Sequence, residues 1–277
     1  MAIPAIAMDG PVLVYGGTYS NLFATLALLE QAERLGIPRE RMICTGDVVA
    51  YCAEPLATAD VVRRFGGHVV MGNCEESLGN EAADCGCGFE EGTACAALAV
   101  EWYAHAVDGL DAEHRAWMRG LPRRIDILIG GRRLAAIHGA VSKINRFIFA
   151  STSRDEKLRE IALAGTDGVI GGHCGLPFTQ ILDGKLWHNP GAIGLPANDG
   201  TPRVWYSVLT PEGAGLRIEH CALDYRYRGA AGIMRGINLA GGYAAALETG
   251  LWPSCDVLPP DELRARGRPI APSAVLW

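Results

Sequence analysis

The chain has 277 residues, 49% of them hydrophobic, so it can bury a sizeable core as one large domain. Its net charge of -6 argues against a nucleic-acid or anionic-membrane binder, which needs a basic face to neutralise phosphates. No signal peptide or membrane span is recognisable. Nine cysteines, an odd number, fit a secreted disulfide scaffold poorly. We therefore expect a soluble cytoplasmic protein, with homo-oligomerisation left open.

The first 71 residues alternate between apolar strand-like runs and helical segments. The pattern predicts strands over residues 11–15, 42–45 and 68–71, separated by helices over residues 22–35 and 55–65. This alternation implies parallel strand pairing through right-handed crossovers. In such sheets functional side chains gather just beyond the carboxyl ends of the strands.

The alternation ends after the third strand. Residues 75–121 combine an acidic, cysteine-bearing loop with helical periodicity, which indicates a helical insertion beside the site. The later β-type runs cover residues 125–129, 133–137, 168–170, 179–182, 185–188, 205–209 and 216–221. Their glycine-containing turns predict hairpins in a second sheet that packs on the first. A helix over residues 230–248, within a C-terminal helix and tail over 228–277, completes a single α/β domain spanning residues 1–277.

Four of the apolar runs end at a metal-capable side chain beside glycine. These side chains are Asp47, Asn73, His138 and His173. Each one alone would more often be a turn residue or a hydrogen-bonded core histidine. Together, their mixed oxygen and imidazole donors indicate a site for a divalent transition metal such as Mn, Fe, Zn or Ni.

The same segments resemble the motifs of calcineurin-like metallophosphoesterases, in order and in spacing. The matching segments are residues 46–51 (GDVVAY), 72–75 (GNCE), 138–139 (HG), 172–175 (GHCG), 189–196 (NPGAIGLP) and 247–254 (LETGLWPS). The resemblance implies a four-layer α/β/β/α sandwich of two mixed sheets flanked by helices. It also implies a hydrolase that acts on a small phosphorylated substrate, as a phosphatase or a phosphodiesterase.

The resemblance also assigns roles to the strand-end residues. Members of the family use two metals about 4 Å apart to clamp a phosphate and to lower the pKa of a bound water. By resemblance, Asp47 is the bridging carboxylate, and Asn73, His138 and His173 complete the second metal site. The catalytic residues are then Asp47, Asn73, His138 and Cys74. Cys74 stands where many members carry a histidine that assists leaving-group protonation, and a semi-buried thiol is the alternative interpretation.

The first metal site departs from the family pattern. The opening D-x-H-x-N motif appears here as GTYSN, so Gly17 and Tyr19 replace an aspartate and a histidine. Gly175 replaces the last histidine of the GHTH motif. A neutral tyrosine cannot replace a carboxylate without losing a proton from a group with a pKa near 10. We therefore expect one ion at the retained half of the site, and slow turnover or an easy leaving group.

Two further sets of residues are candidates for binding. Tyr19, Asn21, Tyr51 and Asn189 are predicted to contact the substrate, although Tyr19 is more simply explained as filling vacated space. The second set, a candidate metal or redox cluster, consists of Cys85, Cys87 and Cys95. Its C-x-C spacing lacks the paired CxxC of a closed zinc site, so structural thiols or a local disulfide are alternatives.

Two other function classes stay open at this stage. One is a catalytically inactive protein that keeps the metallophosphoesterase fold and has a binding or regulatory role. The other is a redox or metal sensor that uses the three cysteines.

Overall fold

Two six-stranded mixed sheets form the centre of the protein in a computed structural model that describes residues 3–239 and 241–277. The strands in chain order are β1 (Ala5–Met8), β2 (Val12–Tyr15), β3 (Met42–Cys44), β4 (His68–Val69), β5 (Arg124–Ile129), β6 (Arg132–Ile137), β7 (Gly168–Ile170), β8 (Pro177–Leu182), β9 (Lys185–Pro190), β10 (Val204–Glu212), β11 (Gly215–Leu223) and β12 (Ser273–Leu276). The first sheet has the order β1-β5-β6-β7-β9-β8, and the second has the order β12-β11-β10-β2-β3-β4.

Helices flank the two sheets. Within the described ranges the α-helices are α1 (Leu22–Arg34), α2 (Pro55–Phe65), α3 (Asn73–Gly79), α4 (Ala94–Gly109), α5 (Ala112–Arg119), α6 (Arg154–Ala164), α7 (Tyr227–Gly236), α8 (Gly241–Thr249) and α9 (Pro260–Ala265). None of these helices combines the length and the apolarity needed to cross a membrane.

The buried apolar residues separate into layers. Val14 and Ile43 of the second sheet pack with Ile127 of the first sheet in the core between the sheets. On the outer face of the first sheet, Ile161 of α6 lies in a separate buried cluster. Leu28 of α1 belongs to the large cluster that covers the second sheet. The predicted four-layer α/β/β/α arrangement is therefore confirmed.

Parallel pairing brings the four strand-end residues to one edge. β2, β3 and β4 are parallel neighbours in the second sheet, and β6 and β7 are parallel neighbours in the first. Asp47 and Asn73 follow β3 and β4, whereas His138 and His173 follow β6 and β7. Each sheet thus delivers two of the four side chains.

Several elements differ from the sequence prediction. The sequence pattern did not indicate β1, α6, α9 or β12. α6 has the charge-rich sequence RDEKLREIALA, and three of the four residues of β1 are exposed, so neither shows a clear apolar pattern. The predicted tail contains β12, which extends the second sheet by antiparallel pairing with β11. The helix predicted over 230–248 is instead the two helices α7 and α8, and residue 240 between them lies outside the described residues.

Candidate metal centre and the adjoining cavity

The four strand-end side chains converge around the Nε2 atom of His138. Oδ1 of Asn73 and Nδ1 of His173 each lie 3.0 Å from this nitrogen. Oδ2 of Asp47 lies 3.2 Å from it. Ligand atoms of Asp47, His138 and His173 all lie within 4.8 Å of one another. The sequence prediction that these four residues form one cluster agrees with this geometry.

A backbone carbonyl determines the protonation of His138. Its Nδ1 lies 2.6 Å from the carbonyl oxygen of Thr45, and because a carbonyl only accepts, Nδ1 carries a proton. Nε2 then either carries a second proton or directs a lone pair toward Asp47, Asn73 and His173. Two oxygen acceptors, Oδ2 of Asp47 and Oδ1 of Asn73, face this nitrogen, so a proton or a cation at Nε2 would be stabilised there. Such fixing of the outer nitrogen is typical of histidines that bind metals.

The charges of the cluster are strongly coupled. Burial opposes ionisation of Asp47, but the neighbouring His138 outweighs it and lowers the pKa of Asp47 below its usual value. Burial also opposes a charge on His138, yet Asp47 raises the pKa of this histidine. Burial and then His138 lower the pKa of His173 to about 3, so His173 is neutral near pH 7. A cation that replaces the proton on His138 would meet one anionic and three neutral donors.

The chemistry of this donor set fits a divalent transition metal. One carboxylate oxygen, one amide oxygen and two imidazole nitrogens suit Mn, Fe, Zn or Ni better than a metal that prefers thiolates. The amide of Asn73 is oriented for this purpose because its Nδ2 donates to the carbonyl of Cys85 at 3.0 Å, which leaves Oδ1 directed at His138.

Glu75 is a positioning residue that sequence reasoning did not single out. Its fully buried carboxylate accepts hydrogen bonds from the backbone N–H groups of Asp47 (2.7 Å), Val48 (2.7 Å) and Gly72 (2.9 Å). These bonds hold Asp47 in the left-handed region, at a φ of 59°. Burial and then the charge of Asp47 raise the pKa of Glu75 to about 7. The sequence signal that could have indicated this role is the position of Glu75 at the end of the GNCE segment, two residues after Asn73.

The side chain of Tyr19 occupies the space between the positions of the missing ligands. A Cβ atom built on Gly17 would lie 2.1 Å from Cε1 of the Tyr19 ring. A Cβ atom on Gly175 would lie 3.7 Å from the Tyr19 hydroxyl. Burial, followed by the charge of Asp47, raises the pKa of Tyr19 well above its usual value, so the hydroxyl is neutral. An aspartate at position 17 would have no room beside this ring.

The structure places two predicted substrate ligands in the scaffold instead. Oδ1 of Asn21 caps α1 by accepting the N–H of Ala24 at 3.1 Å, and its Nδ2 donates to the carbonyl of Gly194 at 3.0 Å. Nδ2 of Asn189 donates to the carbonyl of Gly172 at 2.8 Å, in the loop that carries the second histidine. Both side chains are buried. Both amides therefore hold loops in place, and contact of either amide with a substrate stays a prediction.

The three cysteines of the predicted cluster do not converge. Cys85 and Cys87 form a disulfide. The thiol of Cys95 instead donates to Oγ of Ser254 at 3.3 Å. A shared metal site needs free thiolates from all three residues, so the metal-cluster interpretation is wrong, and the structure contains the local disulfide that was its alternative.

Cys74 lies directly beside the cluster. Its backbone N–H donates to Oδ1 of Asp47 at 3.1 Å, which leaves Oδ2 of Asp47 free to face His138. Burial and then Asp47 raise the pKa of the Cys74 thiol well above its usual value, so the thiol stays protonated. Its backbone has a positioning role, and proton donation by its side chain stays a prediction.

A cavity of about 60 Å³ adjoins the cluster at His173. Tyr19 and Tyr51 form part of its wall, and their rings meet edge to face at a centroid distance of 4.9 Å. The structure thus places the predicted substrate contact Tyr51 next to the metal-site side chains.

Comparison with known proteins identifies the family. The sequence profile of the calcineurin-like phosphoesterase superfamily domain matches residues 12–212. A solved metallophosphoesterase from Sphaerobacter thermophilus is similar, with 22% identity, a TM-score of 0.67, and coverage of 88% of this chain and 99% of that chain. A hypothetical protein from Pyrococcus horikoshii OT3 has 15% identity and a TM-score of 0.73, over 87% of this chain and 98% of its own. An uncharacterized protein from Methanocaldococcus jannaschii is 24% identical over 233 residues, which is 78% of this chain and 88% of that protein. The chain therefore belongs to the calcineurin-like phosphoesterase superfamily.

Proposed function

We propose that this protein is a phosphoesterase that uses one divalent transition-metal ion to hydrolyse a small phosphate monoester or diester. The convergence of Asp47, Asn73, His138 and His173 on one point carries this proposal. The position of Tyr19 supports the number of ions, because its ring lies where side chains of a first metal site would extend.

The chain's own residues prepare the site for this chemistry. An ion bound there supplies a Lewis acid for a phosphate oxygen and lowers the pKa of a bound water. Thr45 holds His138 in the tautomer that leaves Nε2 available, and Glu75 holds the backbone of Asp47. One ion stabilises less developing charge than two, so we expect slow turnover or a substrate with a good leaving group.

Metal analysis together with hydrolysis assays tests the proposal. Protein purified without chelator is analysed for bound metal, and 4-nitrophenyl phosphate and bis(4-nitrophenyl) phosphate are assayed with Mn, Fe, Zn and Ni. We expect about one ion per chain, and a loss of activity of at least about 100-fold in Asp47→Ala. Asp9→Asn, which changes an exposed carboxylate, is the matched control.

Two results would contradict the proposal. Two tightly bound ions per chain, or none, would exclude the single-metal site. Hydrolysis that survives in Asp47→Ala would show that the assigned cluster does not catalyse.

A binding or regulatory role without catalysis is the second candidate function. It is favoured by the cavity beside the cluster, whose described wall residues include no lysine or arginine to neutralise a phosphate. One bound ion without hydrolysis of either ester under any metal would support this role.

A further inference from the structure

We propose that the cavity beside His173 selects phosphate esters whose alcohol group is short, uncharged and apolar. This inference rests on the proposed function, because it names the class of substrate that the same site takes. The cavity has a volume of about 60 Å³ and, in the part of the chain that the structure describes, no aspartate, glutamate, lysine or arginine lines it.

The cavity lies where the first metal site is missing. Tyr19 and Gly175, two positions at which the family has metal ligands, both line it. Trp252 lies against the same part of the wall, because a Cβ atom built on Gly175 would be 3.6 Å from the indole ring of Trp252. The loss of metal ligands and the formation of an apolar wall thus occur at the same place.

His173 connects the cavity to the metal cluster. Its Nδ1 lies 3.0 Å from Nε2 of His138, while its side chain also forms part of the cavity wall. A phosphate held at the cluster would therefore have its alcohol group adjacent to this apolar space. A charged group placed there would lose hydration and would meet no carboxylate, ammonium or guanidinium of opposite charge among the described wall residues, which is costly.

The walls of the cavity are held in place before any ligand arrives. The ring of Phe147 packs on His173 at a centroid distance of 4.1 Å and stacks on Phe149 at 5.7 Å. Nε1–H of Trp252 donates to the carbonyl of Pro196 at 2.7 Å, so this tryptophan presents only carbon atoms to the cavity. Fixed apolar walls of this kind favour binding because little ordering is needed.

The size of the cavity limits what can enter. At about 10–15 Å³ for each water in such a cavity, a volume of about 60 Å³ accommodates about four to six waters, so it has room for an alcohol of only a few carbon atoms. Each methylene that becomes buried is expected to increase affinity about fourfold. Two added methylenes should therefore increase affinity about fifteenfold.

Non-hydrolysable phosphonates measure this selectivity without requiring turnover. Methylphosphonate, propylphosphonate and 2-aminoethylphosphonate are titrated calorimetrically into the full-length, metal-loaded protein. Propylphosphonate should bind about fifteenfold more tightly than methylphosphonate. 2-Aminoethylphosphonate, which has the same chain length but a charged end, should bind no more tightly than methylphosphonate. Equal affinities for the methyl and propyl compounds would overturn the inference.

Variants of the wall locate the selectivity. Trp252→Ala should reduce the propyl-to-methyl ratio at least about threefold, whereas Trp252→Phe should preserve most of it. Val257→Phe, which fills the cavity, should weaken propylphosphonate and leave methylphosphonate unchanged. Leu263→Ala on α9 changes an apolar side chain that is 48% exposed and serves as the control. An unchanged ratio in both Trp252→Ala and Val257→Phe would place the selectivity elsewhere and overturn the inference.

The same proteins separate this inference from the proposed function. Propyl selectivity without ester hydrolysis would support the apolar cavity and overturn the phosphoesterase activity. Ester hydrolysis without propyl selectivity would support the activity and overturn the cavity's role. Failure of all three phosphonates to bind, together with no hydrolysis of either nitrophenyl ester, would overturn both.

Discussion

The positions that match the family's two-metal pattern and those that depart from it have opposite character in this protein. On one side, Asp47, Asn73, His138 and His173 direct polar atoms at one point. On the other side, the ring of Tyr19 fills the space beside Gly17. The departing positions thus contribute to the wall of a cavity, whereas hydrogen bonds to Thr45 and Cys85 orient donors at the matching positions.

Removing a retained ligand should have the largest effect. His138→Ala deletes the central donor and leaves Asp47 buried without its cationic partner, so metal affinity should fall at least about 100-fold. The unfolding free energy of the metal-free protein should also fall, by about 3 kcal/mol or more, because the remaining buried charge is unpaired. Calorimetric metal titration and urea unfolding measure the two effects. His68→Ala, outside the cluster, should change neither strongly, and a similar loss in that variant would contradict the assignment.

Acidification should affect a second pair of buried histidines away from the metal cluster. Hydroxyl Oγ1 of Thr179 lies 2.8 Å from both His188 and His220, and burial lowers the pKa of His220 to about 4. Burial and then His220 lower the pKa of His188 well below its ordinary value. The unfolded chain therefore binds more protons below pH 6.5, and stability falls as the pH decreases from about 6.5 toward 4.

For His220 alone this loss amounts to about 3 kcal/mol across that range. Urea unfolding at a series of pH values measures it, and His220→Gln should flatten the curve. The difference between the wild-type and His220→Gln curves isolates His220, because both proteins share the titrating groups of the metal cluster. A stability that stays constant from pH 6.5 to 4 would contradict the burial of neutral histidines.

Introducing an aspartate at position 17, where the family pattern has a metal ligand, should not create a first metal site. In Gly17→Asp, the new Cβ would lie only 2.1 Å from the Tyr19 ring. We therefore expect the variant to lose about 1–3 kcal/mol of unfolding free energy and to bind no second ion. Gly17→Asp combined with Tyr19→His removes this overlap and should recover most of the lost stability. Thermal unfolding and metal analysis of both variants check this expectation. A second ion in the single variant would show that Tyr19 does not block the site.

The smallest effect on stability and binding is expected from Asn21, which holds the loop after Tyr19. Asn21→Ala removes the N-cap of α1 and should cost about 1 kcal/mol of unfolding free energy. Metal affinity should stay within about twofold of wild type, because the amide of Asn21 is bonded to Ala24 and Gly194. Asn21→Ser, which retains a capping oxygen, should recover most of the stability. A large change in metal or phosphonate binding would indicate that Asn21 contacts a bound ligand.

The strand-like runs predicted two packed sheets and the polar half of the site, and the family resemblance implied the four-layer sandwich. Apolar runs locate β3, β4, β6 and β7, and parallel pairing then brings their following residues together. The repacking around Tyr19 was only partly predictable, because its ring conformation depends on the absence of side chains at Gly17 and Gly175. The role of Glu75 required knowing which backbone N–H groups face it. α6 was missed because its charged residues conceal the apolar face that packs on the first sheet.

The division of the four donors between two sheets has a consequence for hydrogen exchange. β4 contains only His68 and Val69 at the edge of the second sheet, and Asn73 lies shortly after it in the chain. Short edge strands open readily by local fluctuation, and their amide protons then exchange with solvent. A metal ion coordinated by residues after β4 and after β7 would make this opening break coordinate bonds to the opposite sheet. Metal loading should therefore slow amide exchange at β4 and β7 together, and leave β12, at the far edge of the second sheet, unchanged.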